Sequence, residues 1–221
     1  MAIALDNSAT FTFVGGSTST SYTMTALSGK LLLVTTTFKV TAITYAGVSM
    51  TQYVHFDPPI SDGNQQQINV YSLTNPASGS NTLALSVAGD GICGIVSYSG
   101  VASSQPEAYI TASSNNGINN TLVGSLASSV TTLTNNAWSV MFSRGGNNFP
   151  RTFTAGTGTL RQSAEFIFGD GCVGIIDSNG PVSPAGSSTL QANWTSGSGF
   201  VSNVIVSIAP EPAFTGQMCI I

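Results

Sequence analysis

The chain has 221 residues, of which only five are Lys or Arg, nine are Asp or Glu and one is His, giving a net charge of −4; an ordinary soluble protein is about 25% charged. Its basic residues (Lys30, Lys39, Arg144, Arg151 and Arg161) are scattered, which excludes a phosphate-backbone binder, since that needs several cations in one place. A hydrophobic fraction of 42% supplies a core and excludes charge-driven disorder, while no apolar run approaches the roughly 18–20 residues of a spanning helix.

From the N-terminus, Met1–Asp6 has neither a basic stretch nor an apolar segment long enough for a secretion signal, so synthesis without a secretion tag is expected. Three cysteines, Cys93, Cys172 and Cys219, cannot all pair within one chain and read as reduced and buried. Hydrophobicity then alternates with a period of two along nearly the whole chain: Ala9–Val14, Val40–Tyr45, Ile68–Leu73, Thr82–Val87, Ala137–Phe142, Glu165–Phe168 and Phe200–Ile208. β-Branched and aromatic residues fill these runs, as a half-buried pleated surface favours. Leu31–Val34 is apolar throughout and passes into Thr35-Thr36-Thr37.

Gly, Asn, Pro and Ser clusters punctuate the runs at about 8–12-residue spacing, the mark of a sandwich or barrel. Tyr45-Ala46-Gly47-Val48 reads as a tight hairpin with Gly47 at positive φ. Pro58 and Pro59 stiffen a longer loop, Asn75–Asn81 is a turn cluster, and Ser103–Asn120 is the longest stretch without a clear element. A short helical turn at Ser125–Val130 is the nearest approach to a helix. Gly89-Asp90-Gly91-Ile92-Cys93-Gly94-Ile95 echoes Gly169-Asp170-Gly171-Cys172-Val173-Gly174-Ile175. Each reads as a hairpin turn before a strand whose Gly94 or Gly174 admits another backbone, in matching places of two halves or by chance in a Gly-rich chain. The expected architecture is an all-β, antiparallel, jelly-roll-like sandwich over 1–212, a single domain followed by an apolar tail, 213–221.

Candidate chemistry is sparse. His55 is the one imidazole and no G-x-S-x-G elbow accompanies it. Most acids sit beside Gly, Pro or Asn, where Asp serves as a turn former; Glu165 is the exception, inside a strand pattern, and an ion pair with Arg161 or Arg151 is its expected role. No Cys/His spacing suits zinc. Asp57, Asp62 and Asn64, or Asp90 and Asp170, offer oxygens to calcium, but turn formation accounts for them better. No catalytic residue, metal or cofactor is therefore assigned. Amides and aromatics on loops are the reasonable ligand groups, and Asp62, Asn64, Gln66, Tyr109, Asn147, Asn148 and Phe149 are the candidates for contacting a glycan; Trp138 and Trp194 fall in strand patterns and read as core.

After Pro210-Glu211-Pro212 the tail carries Phe214, Met218, Ile220 and Ile221, an apolar arm expected to dock on a neighbouring subunit.

The order and spacing of Leu31–Val34, Val40–Thr51, Val70–Gly79, Ser97–Val101 and Val204–Pro210 resemble a family of uncharacterised β-sandwich proteins found among tailed-phage virion proteins and bacterial surface proteins. The resemblance covers most of the chain as strand-and-turn features. It implies a jelly-roll-like sandwich in a virion or surface setting and transfers no catalytic residue; the tail after Pro212 departs from it. The expected function is that of a non-enzymatic virion structural protein (capsid decoration, head fibre or tail-associated subunit), made in the host cytoplasm and acting as a homo-oligomer. The alternative is a carbohydrate-binding receptor or adhesin module. Expected partners are copies of itself, other virion proteins and a host-surface glycan, with no nucleic acid and no membrane insertion.

Overall fold

A computed structural model describes residues 1–26, 28–38, 40–58, 67–87, 89–113, 124–146, 152–166, 171–194 and 201–212. The first half contains β1 (Ala4–Phe13), β2 (Gly16–Met24), β3 (Leu31–Thr36), β4 (Val40–Tyr45), β5 (Val48–Ser49), β6 (Thr51–Phe56), β7 (Ile68–Thr74), β8 (Gly79–Val87) and β9 (Gly91–Ser99). The second contains β10 (Ala108–Ser113), β11 (Ser125–Thr131), β12 (Trp138–Gly145), β13 (Phe153–Thr157), β14 (Thr159–Glu165), β15 (Cys172–Asp177), β16 (Ser187–Trp194) and β17 (Val201–Ile208). The fold is all-β, and every named strand pair is antiparallel.

The strands form four sheets: β1-β9-β3-β7-β6, β2-β8-β4-β5, β10-β17-β12-β15-β14 and β11-β16-β13. Pairing within a half is nested. β1 pairs with β9, β2 with β8, β3 with β7 and β4 with β5, while β3 also pairs with β9 and β4 with β8. The second half repeats this: β10 with β17, β11 with β16, β12 with β15, then β12 with β17 and β13 with β16. Each half thus pairs its strands into one five-stranded sheet and one smaller sheet of its own.

Three cores separate the four layers. Tyr22, Leu32, Val34, Ile43, Tyr45, Leu83 and Ile95 fill the first sandwich; Met141, Phe153, Ile176, Leu190 and Trp194 fill the second. A third core lies between the two five-stranded sheets and gathers Leu31, Leu33, Val70, Val96 and Tyr98 from one half with Trp138, Val140, Phe142, Ile175, Val204 and Val206 from the other. Successive strand residues point to opposite faces, so Leu31 and Leu33 enter the central core while Leu32 and Val34 enter the outer one. This explains the unbroken apolar run at Leu31–Val34: a strand buried on both faces has no solvent side to make polar. Each outer sheet covers one core only, and β8 and β16 alternate buried with half-buried or exposed positions.

The two halves meet as in a two-fold dimer. β9 lies against β15 and β17 against β7; because β17 is the counterpart of β9 and β15 of β7, the two contacts are reciprocal, the hallmark of an isologous interface. The registers identify matching residues. Thr35 stands between Gly94 and Val70, and Phe142 between Val204 and Ile175. A Cβ on Gly94 would sit 3.0 Å from Ile175 Cδ1. The larger Ile175 therefore fills the notch at Gly94, whereas the reciprocal place holds Val204 and Val70.

The echoed Gly-Asp-Gly segments do not mark matching places, because the first joins β8 to β9 across two sheets and the second precedes β15, the counterpart of β7. The repeat lies in topology, which many sequences can satisfy. Neither Gly94 nor Gly174 admits a backbone; a Cβ at Gly174 would meet the Phe153 ring at 2.8 Å, as one at Gly94 meets Ile175. Ser125–Val130 is strand, part of β11. The stretch Ser103–Asn120 conceals β10, whose adjacent Tyr109 and Ile110 are both about half exposed, so that no buried stripe marks it. The Tyr45–Val48 hairpin is present, with Ala46 at φ 51° and Gly47 at φ 78°, both left-handed as a two-residue turn matching strand twist requires.

Candidate functional site

Four of the described carboxylates, Asp6, Asp90, Glu107 and Asp177, act as clasps. Asp177, at the end of β15, is fully buried. Its Oδ2 accepts hydrogen bonds from Tyr98 Oη at 2.9 Å and Arg161 Nε at 2.8 Å, and its Oδ1 accepts the Asn179 amide at 3.0 Å. Tyr98 belongs to the first half and Asp177 to the second, so this joint ties the sandwiches together beside their shared core. Burial, with the Asp177 charge second, raises the Tyr98 phenol well above its ordinary range. Arg161 thus pairs with Asp177, not with Glu165 as expected. Asp177 ends the apolar run Cys172–Ile176, a signal that reads equally as a strand end.

Other acids behave alike. Asp6 accepts the amides of Thr25 and Ala26 at 3.0–3.2 Å and the Ser97 hydroxyl at 2.9 Å. Glu107 accepts the Leu133 amide, the Thr134 hydroxyl and the Ser207 hydroxyl at 3.0, 2.7 and 2.6 Å. Asp90, a calcium candidate, accepts the Gly15 amide at 2.6 Å; Asp170 and Asp62 lie outside the described residues. Among the described residues no group of three His, Cys, Asp or Glu gathers as a metal site. His55 Nδ1 lies 2.7 Å from Asn69 Oδ1; since an amide oxygen only accepts, Nδ1 carries the proton. Cys93 and Cys172 are buried, and burial pushes the Cys93 thiol up to about 12.

Of the expected ligand contacts, Asp62, Asn64, Gln66, Asn147, Asn148 and Phe149 lie outside the described residues, as do the expected assembly residues Phe214, Met218, Ile220 and Ile221. The strands flanking the two loop groups end on the same side of the slab, where Arg144 donates to the Gln67 carbonyl at 2.7 Å and lies 5.3 Å from the centre of the Phe38 ring. Tyr109 is 49% exposed and packs edge-on against Tyr53 of the other half at 5.4 Å. Trp138 and Trp194 are buried, as expected.

The broad faces are the feature that sequence reading missed. β2, β4, β5, β8, β11, β13 and β16, the seven strands of the outer sheets, contain no Asp, Glu, Lys, Arg or His. All such residues within strands (Asp6, His55, Arg144, Arg161, Glu165 and Asp177) belong to the inner sheets. On the first outer face Ser17 stands beside Ser86, Ser19 beside Ala84, Ser21 beside Thr82 and Thr23 beside Ser80. On the second, Ser129 stands beside Thr189 and Thr131 beside Ser187. Strand geometry sets these small side chains on a grid of about 4.8 by 6.7 Å.

Opposite the Arg144 end, a groove of about 600 Å³ opens between the halves. Ile3, Trp138, Pro181, Pro210 and Pro212 give it an apolar lining. No family model, no curated protein and no solved structure matches this chain.

Proposed function

We propose that this protein is a non-enzymatic structural subunit that works by assembling with copies of itself, in the virion of a tailed phage, as a capsid decoration, head fibre or tail-associated protein. The observation that carries this reading is the absence of charged side chains from both outer sheets. Soluble surfaces ordinarily mix charges of both signs and resist association through them. A face of hydroxyls and methyls offers no such resistance, and hydroxyls are much cheaper to desolvate than ions. We read the nested pairing as a jelly roll in each half, a sandwich used by viral capsid and lectin domains; that support is analogy of fold. The clasped acids agree with a body built for rigidity.

The test is sedimentation over a range of concentration, comparing the native chain with Ser19→Lys/Thr82→Lys and Ser129→Lys/Thr189→Lys. Association that weakens with either pair, while the denaturation midpoint holds, supports the reading; a chain monomeric at every concentration sinks the assembly role. Mass spectrometry of purified particles from the encoding host tests the virion setting.

The exposed Tyr109, backed by Tyr53, favours a second reading as a carbohydrate-binding module, since aromatic faces hold sugar rings. Binding on a glycan array that Tyr109→Ala removes would support it.

A further inference from the structure

We propose that the apolar groove receives the segment Ala213–Ile221 of a second copy of this chain. The proposal rests on the assembly reading above and assigns it a socket and an arm.

The groove is a built surface. Pro210 is bridged to Val101, the Glu211 amide donates to the Gly100 carbonyl at 2.8 Å, and the Ala102 amide donates to the Ala209 carbonyl at 3.0 Å. On the opposite rim the Thr134 hydroxyl is held by Glu107, and the Asn136 amide donates to the Val182 carbonyl at 2.9 Å. Trp138 floors it at 8% exposure, and Leu133, beside rim residue Thr134, is 66% exposed. Its volume falls in the range of about 300–1,000 Å³ that accepts a few large groups.

The segment is complementary. Six of its nine residues are apolar and none is charged. It begins where the wall stops, at Pro212, and nine extended residues span about 30 Å, enough to reach an adjacent subunit. The same starting point argues against the chain filling its own groove. Residues 210–212 form the wall, so the chain must reverse before it can enter. A reversal takes four residues, and Ala213–Gly216 would spend Phe214 in the turn. Only Gln217–Ile221 would remain to enter, whereas the arm of another copy brings Phe214 as well.

The experiment uses the natural Cys219, because Cys93 and Cys172 are buried. Full-length chain carrying Pro181→Cys and Cys219→Ser is mixed with size-tagged chain retaining Cys219, and a short thiol crosslinker is added. The expected result is a crosslinked species joining the two chains, lost when the tagged chain carries Phe214→Asp/Ile220→Asp. Alongside it, the synthetic peptide Ala213–Ile221 is titrated into chain truncated after Pro212, with Trp138 fluorescence as the readout; Trp194 is buried in another core. A saturable change, abolished by Pro181→Asp with Ala2→Asp, is expected. No crosslink between the two chains, or no fluorescence change, overturns the proposal. If the full chain associates, its outer-face variants do not, and truncation leaves its size unchanged, the arm is overturned while assembly stands. A chain monomeric throughout ends both.

Discussion

The inner and outer sheets obey opposite rules. β3 and β17 are buried at every position, polar residues included, while in β8 and β16 buried positions alternate with more exposed ones. Yet the charges in strands belong to the buried sheets and avoid the exposed ones. The reason lies in position within the stack. Inner-sheet charges can be paired, as Asp177 is with Arg161 and Tyr98, and such a pairing fixes one half against the other. Charges on an outer face would have only water, and any partner stacking there would have to strip it. The comparison teaches that low charge in this chain is organised: fastening is inside, and the surface left for contact is neutral.

The largest effect is expected at the centre. Phe142→Ala, fully buried between the halves, should cost about 3–5 kcal/mol, read as a lowered urea midpoint; a loss below about 1 kcal/mol would mean that the central core is dispensable. Next, Asp177→Asn removes the charge that Arg161 and Tyr98 share and should cost about 3 kcal/mol. Tyr98→Phe leaves Arg161 and the Asn179 amide on the carboxylate and should cost less, about 1.5–2 kcal/mol, so equal losses would break the joint as described. Gly94→Val should cost about 1–3 kcal/mol by overpacking, recovered in part by Ile175→Ala; absence of recovery would refute the notch.

Alkaline pH separates the regions in another way. Cys93 and Tyr98 have folded pKa values raised above their unfolded ones, chiefly by burial. Between about pH 9 and 12 the unfolded chain therefore loses a proton that the folded Cys93 keeps, so stability present below pH 9 falls as pH rises. Cys93→Val should flatten that slope in denaturation measured from pH 8 to 11. The smallest effect belongs to the outer faces: Ser19→Lys or Thr189→Lys should shift stability by no more than about 0.5 kcal/mol while altering association. A large stability change there would erase the distinction between the sheets.

The class of the fold was legible because side-chain alternation is local: Val40–Tyr45 and Thr82–Val87 state their half-buried faces without help from the rest of the chain. The Tyr45–Val48 hairpin was legible for the same reason, since Gly47 fixes a backbone angle. Leu31–Val34 showed burial but not what it was buried between, and that depends on a second sandwich contributed by residues from Trp138 onward. Asp177 is similar. Its sequence neighbours give no hint of Tyr98 or of the Arg161 side chain, because a hydrogen bond between strands far apart leaves no periodic trace. Alternation thus decided that the chain forms sandwiches and which face of each outer strand is wet. Only the tertiary structure decided that there are two of them, that they meet through reciprocal inner sheets, and that the strands bearing charge all lie inside. Those facts depend on which strand sits beside which, and the period of a single strand is the same whichever neighbour it finds.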